Sequence, residues 1–274
     1  MAFENFKKTI WSKYIQLETS KICVMEEDCN TKFQGEIGVG KQVKIIGAGR
    51  PKVGTYIPGS NIAAAETPAD TSVYMNIDQF KYTHFLVDDI DEAQAVDGLM
   101  QAYMKGSAEE LAATRDAYIA QIAALGGTAS TSTAVSDAAG AKTLVDNGLV
   151  TLRTNGVKIS TPTVLTITPW FYNYLKDYIV NYGTDNMELI RKGIIGMYNG
   201  ATVKISNNLY NDGTDDYMLL RTKDAVAFAA GISKTEAYRP DLQFSDAVKV
   251  LDTYGAKVVR QDELYVIKAH KAQE

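Results

Sequence analysis

Asp88 to Leu125, DDIDEAQAVDGLMQAYMKGSAEELAATRDAYIAQIAAL, reads as one helix longer than a globular domain ordinarily needs, and the expected fold is organised around it. Asp88 is placed to act as N-cap. Asp89, Asp91 and Glu92 then bring negative charge to the first turn, where unpaired N–H groups and the helix dipole favour it. Farther along, Met104, Ala108, Leu111, Arg115, Tyr118, Ile122 and Leu125 recur at alternating four- and three-residue steps, while Glu109, Glu110 and Asp116 fall off that stripe. Gly126-Gly127 ends the pattern. Unbroken, the helix would span roughly 55 Å at about 1.5 Å per residue. Gly98 and Gly106, each about 1 kcal/mol less favourable than Ala in a helix, are candidate hinges. By itself the periodicity fits equally well an ordinary amphipathic core helix, or two of them.

The chain of 274 residues is long enough for one large or two modest domains with a sizeable core. Hydrophobic residues at 46% and charged residues at 22% are ordinary for a globular protein, and no apolar run approaches the roughly 18 to 20 residues of a membrane span. The start, MAFENFKKTIW, has neither the apolar core nor the cleavage site of a secretory signal, so a cytoplasmic start is expected. A net charge of −5 and a pI near 5.2 argue against a nucleic-acid-binding surface, which needs clustered Lys and Arg. Cys23, Cys29, His84 and His270 are the only cysteines and histidines. They exclude a disulfide scaffold and have no recognised zinc spacing.

Phe3, Phe6, Ile10, Tyr14 and Leu17 have helical spacing in an N-terminal arm. Lys41 to Ile46 reads as a strand. Val73, Met75 and Ile77 alternate with polar neighbours in a second, and Lys81 to Val87 is a third. Between the first two lies Gly47 to Thr71, holding Pro51, Pro58 and Pro68, which reads as an extended, irregular excursion because proline donates nothing to a ladder. Gly126 to Ser136, almost wholly small residues, reads as a linker. Ser136 or Asp137 can cap a helix whose apolar face is Leu144, Val145, Leu149 and Leu152, ending near Asn155-Gly156. Val164 to Ile167 is a short strand, after which Thr168-Pro169 opens an aromatic helix. Its Trp170, Phe171, Tyr174 and Tyr178 are better read as packing than as a stacking platform. Asn199-Gly200 signals a type I′ hairpin and Asp212-Gly213 a second turn. Ala225 to Ala230 reads as a strand and Ser245 to Thr253 as a helix, with Ala256 to Arg260 and Leu264 to Ala269 pairing as a terminal hairpin. The fold class is α+β.

No motif for catalysis survives. Gly35 to Lys41 has the glycine and lysine spacing of a P-loop, but Gln42 stands where the magnesium-binding Ser or Thr is required, and a strand follows instead of a helix. Gly47-Ala48-Gly49 does not continue into a dinucleotide fingerprint. Asp88, Asp89 and Asp91 are read as capping acids, and Asp212, Asp215 and Asp216 as solvated turn carboxylates. A nucleophile elbow, a His-based dyad and an HExxH are all absent. The expectation is a protein that is not an enzyme and uses no cofactor or metal.

The order of elements is more informative than any site. Ile77-Asp78-Gln79 with Phe85 to Asp89, Asp91 and Gln94; Gly196, Gly200, Val203 and Ser206-Asn207-Asn208-Leu209; and Phe244, Asp246, Val248, Tyr254-Gly255 and Lys257-Val258 follow one another along the chain. Together they resemble the major capsid proteins of tailed phages, the Hong Kong 97 type fold. That resemblance implies an N-terminal arm over residues 1–40, an extended β-loop over 41–87, and a peripheral domain with the spine helix over 88–160. A mainly axial domain would cover 161–241, with a return to the peripheral domain over 242–274. It also implies self-assembly through hexamers and pentamers into an icosahedral shell enclosing double-stranded DNA without sequence-specific binding. Such a shell forms in the host cytoplasm with no membrane, with a separate scaffolding protein and a portal as partners.

Arg50, Lys52, Val53, Tyr56, Ile57, Ile62 and Glu66 of the extended loop would contact neighbouring subunits, since a protrusion cannot bury its own apolar residues. Met104, Leu111, Tyr118 and Ile122 would pack the spine. Lys41, Lys44 and Lys52 match no cross-linking pattern. An encapsulin-type cellular compartment has the same fold and is the nearest alternative. A soluble α+β enzyme or ligand-binding protein, with a convergent polar pocket, is the alternative of another class.

Overall fold

The structure, a computed structural model, describes residues 23–32, 42–48, 55–56, 58–59, 61, 70–89, 99–181, 196–231 and 234–272. Strands β1 (Gln42–Ala48) and β2 (Asp70–Asn76) pair antiparallel from Gln42 opposite Asn76 to Ala48 opposite Asp70. They therefore extend through both ends of the stretch expected to be irregular, because the alternation of Val43, Ile45 and Met75 puts these residues on one buried face.

Strand β3 (Gln79–Asp88) runs beyond its expected end and pairs along its full length with a later strand, Asp88 lying opposite Ser245. Asp88 is thus the last residue of the strand and stands directly before Asp89, which is helical, the place expected for an N-cap. Helix α1 is described as Leu99–Gly126, 28 residues, and passes through Gly106 unbroken. Gly98, Asp91, Glu92 and Gln94 lie outside the described residues.

The expected stripe on α1 holds over its first half and drifts over its second. Met104, Ala108, Leu111 and Arg115 are buried, but Ile119, Ala120, Ala123 and Ala124 replace Tyr118 and Ile122 at the centre of the contact, and Leu125 is exposed. A repeat of 3.5 on a helix of 3.6 slips by about 20° per heptad, so the buried line moves round by one residue. The same drift carries Asp116 from the expected solvent face into the interior, where it is 2% exposed.

After α1, residues read as a linker form strands β4 (Thr128–Ala129) and β5 (Thr133–Val135), and α2 (Ala138–Thr154) follows. Asp137 caps α2 by accepting from the N–H of Gly140. β6 (Thr163–Ile167) leads into α3 (Pro169–Asn181), and β7 (Met197–Tyr198) turns into β8 (Ala201–Ile205) through Asn199 and Gly200 at φ of 47° and 86°. Positive φ at both central residues is the signature of a type I′ turn. β9 (Asp216–Thr222), β10 (Val226–Ala230), β11 (Lys234–Tyr238), β12 (Ser245–Val258) and β13 (Leu264–Lys271) complete the chain.

Two expectations fail here. Residues 245–253 belong to the 14-residue strand β12, because Val248, Val250, Asp252 and Tyr254 form a buried period-two face that no helix would hold together. β12 and β13 do not pair as a terminal hairpin: β12 lies in a four-stranded sheet with β3 on one edge and β10 and β11 on the other, whereas β13 lies between β9 and the short parallel β4 and β5.

The second sheet has seven strands, in the order β4, β13, β9, β6, β8, β7 with β5 beside β13. Tyr217 to Leu220 of β9 and Leu264 to Ile267 of β13 are apolar without alternation because both faces of the sheet are covered there. Met218, Leu220, Ile267 and Ala269 face α2 and α3, whereas Leu219, Leu264 and Val266 face α1. The first half of α1 packs on the four-stranded sheet through Met104, Ala108 and Leu111 against Val248 and Val250. Its second half touches both sheets.

Residues 23–30 are bound across this junction. Arg115 donates through Nε and Nη2 to the two carboxylate oxygens of Asp252, both at 2.6 Å, and through Nη1 to Glu26 at 3.0 Å. The Asp116 carboxylate accepts from the N–H groups of Val24 and Met25 at 2.9 and 3.1 Å. Arg221, fully buried, donates to the carbonyls of Met25 and Asp28, and Asn30 exchanges backbone hydrogen bonds with Val226 and Phe228 of β10.

A Cβ on Gly255 would lie 2.1 Å from the carbonyl oxygen of Asn76, whereas one on Gly106 would meet nothing within 4 Å. Gly255→Ala is therefore expected to lower subunit stability by about 3 kcal/mol, and Gly106→Ala to raise it by up to about 1 kcal/mol, as read by urea unfolding. Asp252→Ala should cost about 3 kcal/mol by leaving Arg115 buried with only Glu26. The joint replacement Arg115→Met with Asp252→Leu should cost less, and a double-mutant cycle in which the joint variant is the less stable of the two would contradict this account.

Candidate subunit-contact surface

The four-stranded sheet has two unlike faces. The inner one is covered by α1. On the outer one, β3 places Phe80, Tyr82, His84 and Leu86, β12 places Lys249 and Leu251, and β11 places Lys234, Glu236 and Tyr238, with Tyr82 opposite Leu251 and His84 opposite Lys249. Period two predicts polar residues on a solvated face, yet Phe80 is 58% and Tyr82 76% exposed. The turn between β11 and β12 adds Leu242 and Phe244, exposed at 96% and 81%. Contiguous apolar surface of this kind marks a contact site more often than a solvated wall.

Part of that face is already covered. Val43, Ile45 and Met75 of β1 and β2 pack on Ala227 and Ala229 of β10, so the two-stranded sheet roofs the β10 end and leaves the β3 and β11 end open. There a groove of about 420 Å³ runs between Tyr82, His84, Lys234, Tyr238 and Leu251. Tyr238 stacks on His84 with ring centroids 6.0 Å apart, and its hydroxyl lies 3.1 Å from His84 Nε2. Lys249 sits 2.7 Å from Glu236, which holds the ammonium pKa above its ordinary value. Side chains tied to one another in this way present a preshaped surface, at less ordering cost on contact than free lysines.

Of the extended-loop residues expected at subunit contacts, Tyr56 is described and is 62% exposed. Arg50, Lys52, Val53, Ile57, Ile62 and Glu66 lie outside the described residues, as does the P-loop-like stretch from Gly35 to Lys41. Met104 and Leu111 are in the spine packing, and Tyr118 and Ile122 flank it. Trp170, Phe171 and Tyr174 pack on the seven-stranded sheet as expected. The outer face went unrecognised in the sequence, although β3 carries the signal: Phe80, Tyr82 and Leu86 alternate with Phe85 and Val87, so apolar residues fall on both sides of the strand.

The polar clusters are structural. Asp212 accepts from the N–H groups of Asp215 and Thr214 and from the Tyr217 hydroxyl, and the backbone donors hold its carboxyl at about 2. Asp215, expected to be solvated, is buried and accepts from Ser132 Oγ at 2.9 Å and lies 2.7 Å from His270 Nδ1. Both groups meet the same carboxylate oxygen, so the imidazole does not stand between Ser and Asp as a relay requires. Burial pushes the Cys23 and Cys29 thiols and the Asp116 carboxyl up, the two backbone donors only partly offsetting this for Asp116. Thiols so placed are poor nucleophiles. Among the described residues, no three His, Cys, Asp or Glu converge on a metal position.

No protein family model and no curated protein sequence matches the chain. Solved structures do. A structure from Mycobacterium phage Che8 is 32% identical over 89% of this chain and 90% of its own, with a TM-score of 0.77. The capsid structure of the cyanophage P-SCSP1u is 19% identical over 86% of this chain and 85% of its own, with a TM-score of 0.68. A virus-like particle from Pyrococcus furiosus, 12% identical with a TM-score of 0.60, covers 97% of this chain and all of its own. At that identity it speaks for the fold alone. With a long helix shared by two sheets, a two-stranded sheet packed on β10 and an uncovered apolar face, and with a 32% identical phage structure matched over 89% of its length, the chain belongs to the major capsid proteins of tailed phages and has the Hong Kong 97 type fold.

Proposed function

We propose that this capsid protein assembles with copies of itself, through hexamers and pentamers, into an icosahedral phage head that encloses double-stranded DNA. The observation that carries the reading is the outer face of the four-stranded sheet. Phe80, Tyr82, Leu86 and Leu251 are large, apolar and exposed in the subunit, and a shell of identical copies supplies a cover for them. The role is structural: the chemistry of the described polar clusters accounts for them as turns and clamps, and the DNA is held by enclosure and not by a basic binding surface.

In this reading the two-stranded sheet and the stretch between its strands reach a neighbouring subunit. Tyr56 and, by expectation, Arg50, Lys52, Val53, Ile57, Ile62 and Glu66 make those contacts. The axial domain is proposed to comprise β4 to β9 with α2, α3 and β13, because those elements share the seven-stranded sheet and its core. That differs from the expected assignment of residues 128–154 and 264–271 to the peripheral domain. The peripheral domain is proposed to comprise α1 with the four-stranded sheet. Gly98 and Gly106 remain the proposed bending points, a scaffolding protein and a portal the proposed partners, and the host cytoplasm the proposed place of assembly. A phage head is preferred over a cellular compartment because the 32% identical relative is a phage protein. The contents of purified particles, DNA or protein cargo, distinguish the two.

Introducing Tyr82→Lys and Leu251→Glu together, opposite charges at a facing pair on the open side of the sheet, should leave subunit unfolding nearly unchanged, yet reduce shell yield in negative-stain microscopy at least about tenfold, one tenfold step corresponding to about 1.4 kcal/mol. Undiminished shells from that variant would remove the outer face from the contact. Limited proteolysis between residues 47 and 71 should be fast in free subunits and suppressed in shells. Equal cleavage in both would rule out a covering role for the loop.

A further inference from the structure

The chain holds three Asn-Gly pairs: Asn147-Gly148, Asn155-Gly156 and Asn199-Gly200. In such a pair the glycine amide nitrogen can close on the asparagine carboxamide carbon, because glycine has no side chain to obstruct the ring that forms. Local sequence treats the three alike. The fold does not, since ring closure needs both the amide nitrogen and the carboxamide to be free of other bonds.

Gly148 lies inside α2, where its amide belongs to the helix ladder and a Cβ would sit 2.8 Å from the Tyr265 ring. That leaves the backbone no room to rearrange. Asn155 donates through Nδ2 to the Asp262 carbonyl at 3.0 Å, and the N–H of Gly156 donates to the Arg153 carbonyl, also at 3.0 Å. Both reacting groups of the second pair are therefore engaged. At the turn between β7 and β8 the ladder closes between Tyr198 and Ala201, so the Gly200 amide lies outside it and has no hydrogen-bond acceptor among the described residues. Asn199 and Gly200 are both exposed, and a Cβ on Gly200 would meet nothing within 4 Å. Arg153 reaches this turn from α2: its Nη2 donates to the Asn199 carbonyl at 2.9 Å and lies 3.4 Å from the carboxamide Oδ1. A guanidinium so placed favours negative charge on Oδ1 as the carboxamide carbon becomes tetrahedral.

We infer that Asn199 is a site of spontaneous covalent modification, at which the turn converts asparagine to aspartate and isoaspartate and Arg153 promotes the step. The Gly200 nitrogen gives up its proton to water and bonds to Asn199 Cγ. The bond from Cγ to the side-chain nitrogen then breaks, and ammonia leaves with the proton returned. One water opens the resulting cyclic imide: cleavage at Cγ gives aspartate, and cleavage at the backbone carbonyl gives isoaspartate. No oxidant, cofactor or second protein enters. The aspartate product sets a carboxylate beside Arg153 and ties the hairpin to α2 by an ion pair. The isoaspartate product instead adds a methylene to the backbone of a two-residue turn whose register has no place for it. The inference does not depend on assembly.

The test follows the full-length subunit at neutral pH, with digestion and mass spectrometry reading the replacement of –NH2 by –OH at each asparagine. Conversion at Asn199 should outpace that at Asn147 and Asn155 at least about tenfold, since those two react only through local opening of the fold. In urea the three rates should fall together. Arg153→Gln should slow the native rate at Asn199 severalfold and leave its rate in urea unchanged. Native conversion at Asn199 no faster than at the other two overturns the inference. A preference for Asn199 that persists in urea also overturns it, by tracing the effect to local sequence. An unchanged native rate in Arg153→Gln removes the promoting role assigned to that residue.

Discussion

Arg115 and Asp252 meet at two parallel contacts of 2.6 Å in the middle of the molecule, and both side chains are almost wholly withdrawn from water. Taking a guanidinium and a carboxylate out of water costs several kcal/mol for each, and their attraction offsets this only when geometry is good and the remaining donors are satisfied. Here Arg115 has a third bond, to Glu26, and its guanidinium lies 5.8 Å from the centre of the Tyr254 ring. The pair therefore specifies position more than it adds stability. It sets α1 against β12 at one rotation, and because Glu26 shares the guanidinium, the same choice fixes where the N-terminal segment crosses.

The other contacts at this crossing follow from that rotation. With Arg115 turned toward β12, its neighbour Asp116, about 100° farther round the helix, is also carried inward, where two backbone N–H groups of residues 24 and 25 compensate its burial. Arg221 then satisfies carbonyls of the same segment from the seven-stranded sheet. One helix thus joins two sheets and a strap through charged groups that have few alternative partners. A wrong register leaves a buried charge unpaired, which penalises misfolded arrangements more strongly than apolar packing does. Rigidity of this kind suits a building block whose outer surfaces must match those of its copies. The open apolar face of the four-stranded sheet lies directly behind this junction, carried on the same long strand, β12, that holds Asp252.

Much of the local structure was legible before any tertiary information. Asp137 before an apolar helix, Thr168-Pro169 before the aromatic one, and Asn199-Gly200 between two short strands each determine backbone geometry within four residues. Local chemistry is sufficient there because the partner groups are adjacent in the chain. The candidate contact surface was only half legible. Tyr56 and the rest of the excursion stood out by composition, whereas Phe80, Tyr82 and Leu251 are ordinary strand residues until the sheet shows that α1 covers only one side.

The sequence by itself determined the α+β class, the long central helix, most turns and caps, and through the ordered local matches the capsid family. Tertiary structure alone decided that residues 245–253 are a strand and not a helix, because Val248 and Val250 gain their burial from α1 and their hydrogen bonds from β3 and β11, far away in the chain. It decided that β13 joins β9 instead of β12, and that small-residue stretches after α1 become strands beside β13. It also decided that Asp116 is interior, since a 3.5-residue stripe drifts on a real helix. In each case the deciding partner lies at long range, and a pairing preference that depends on a distant partner leaves no local mark in the sequence.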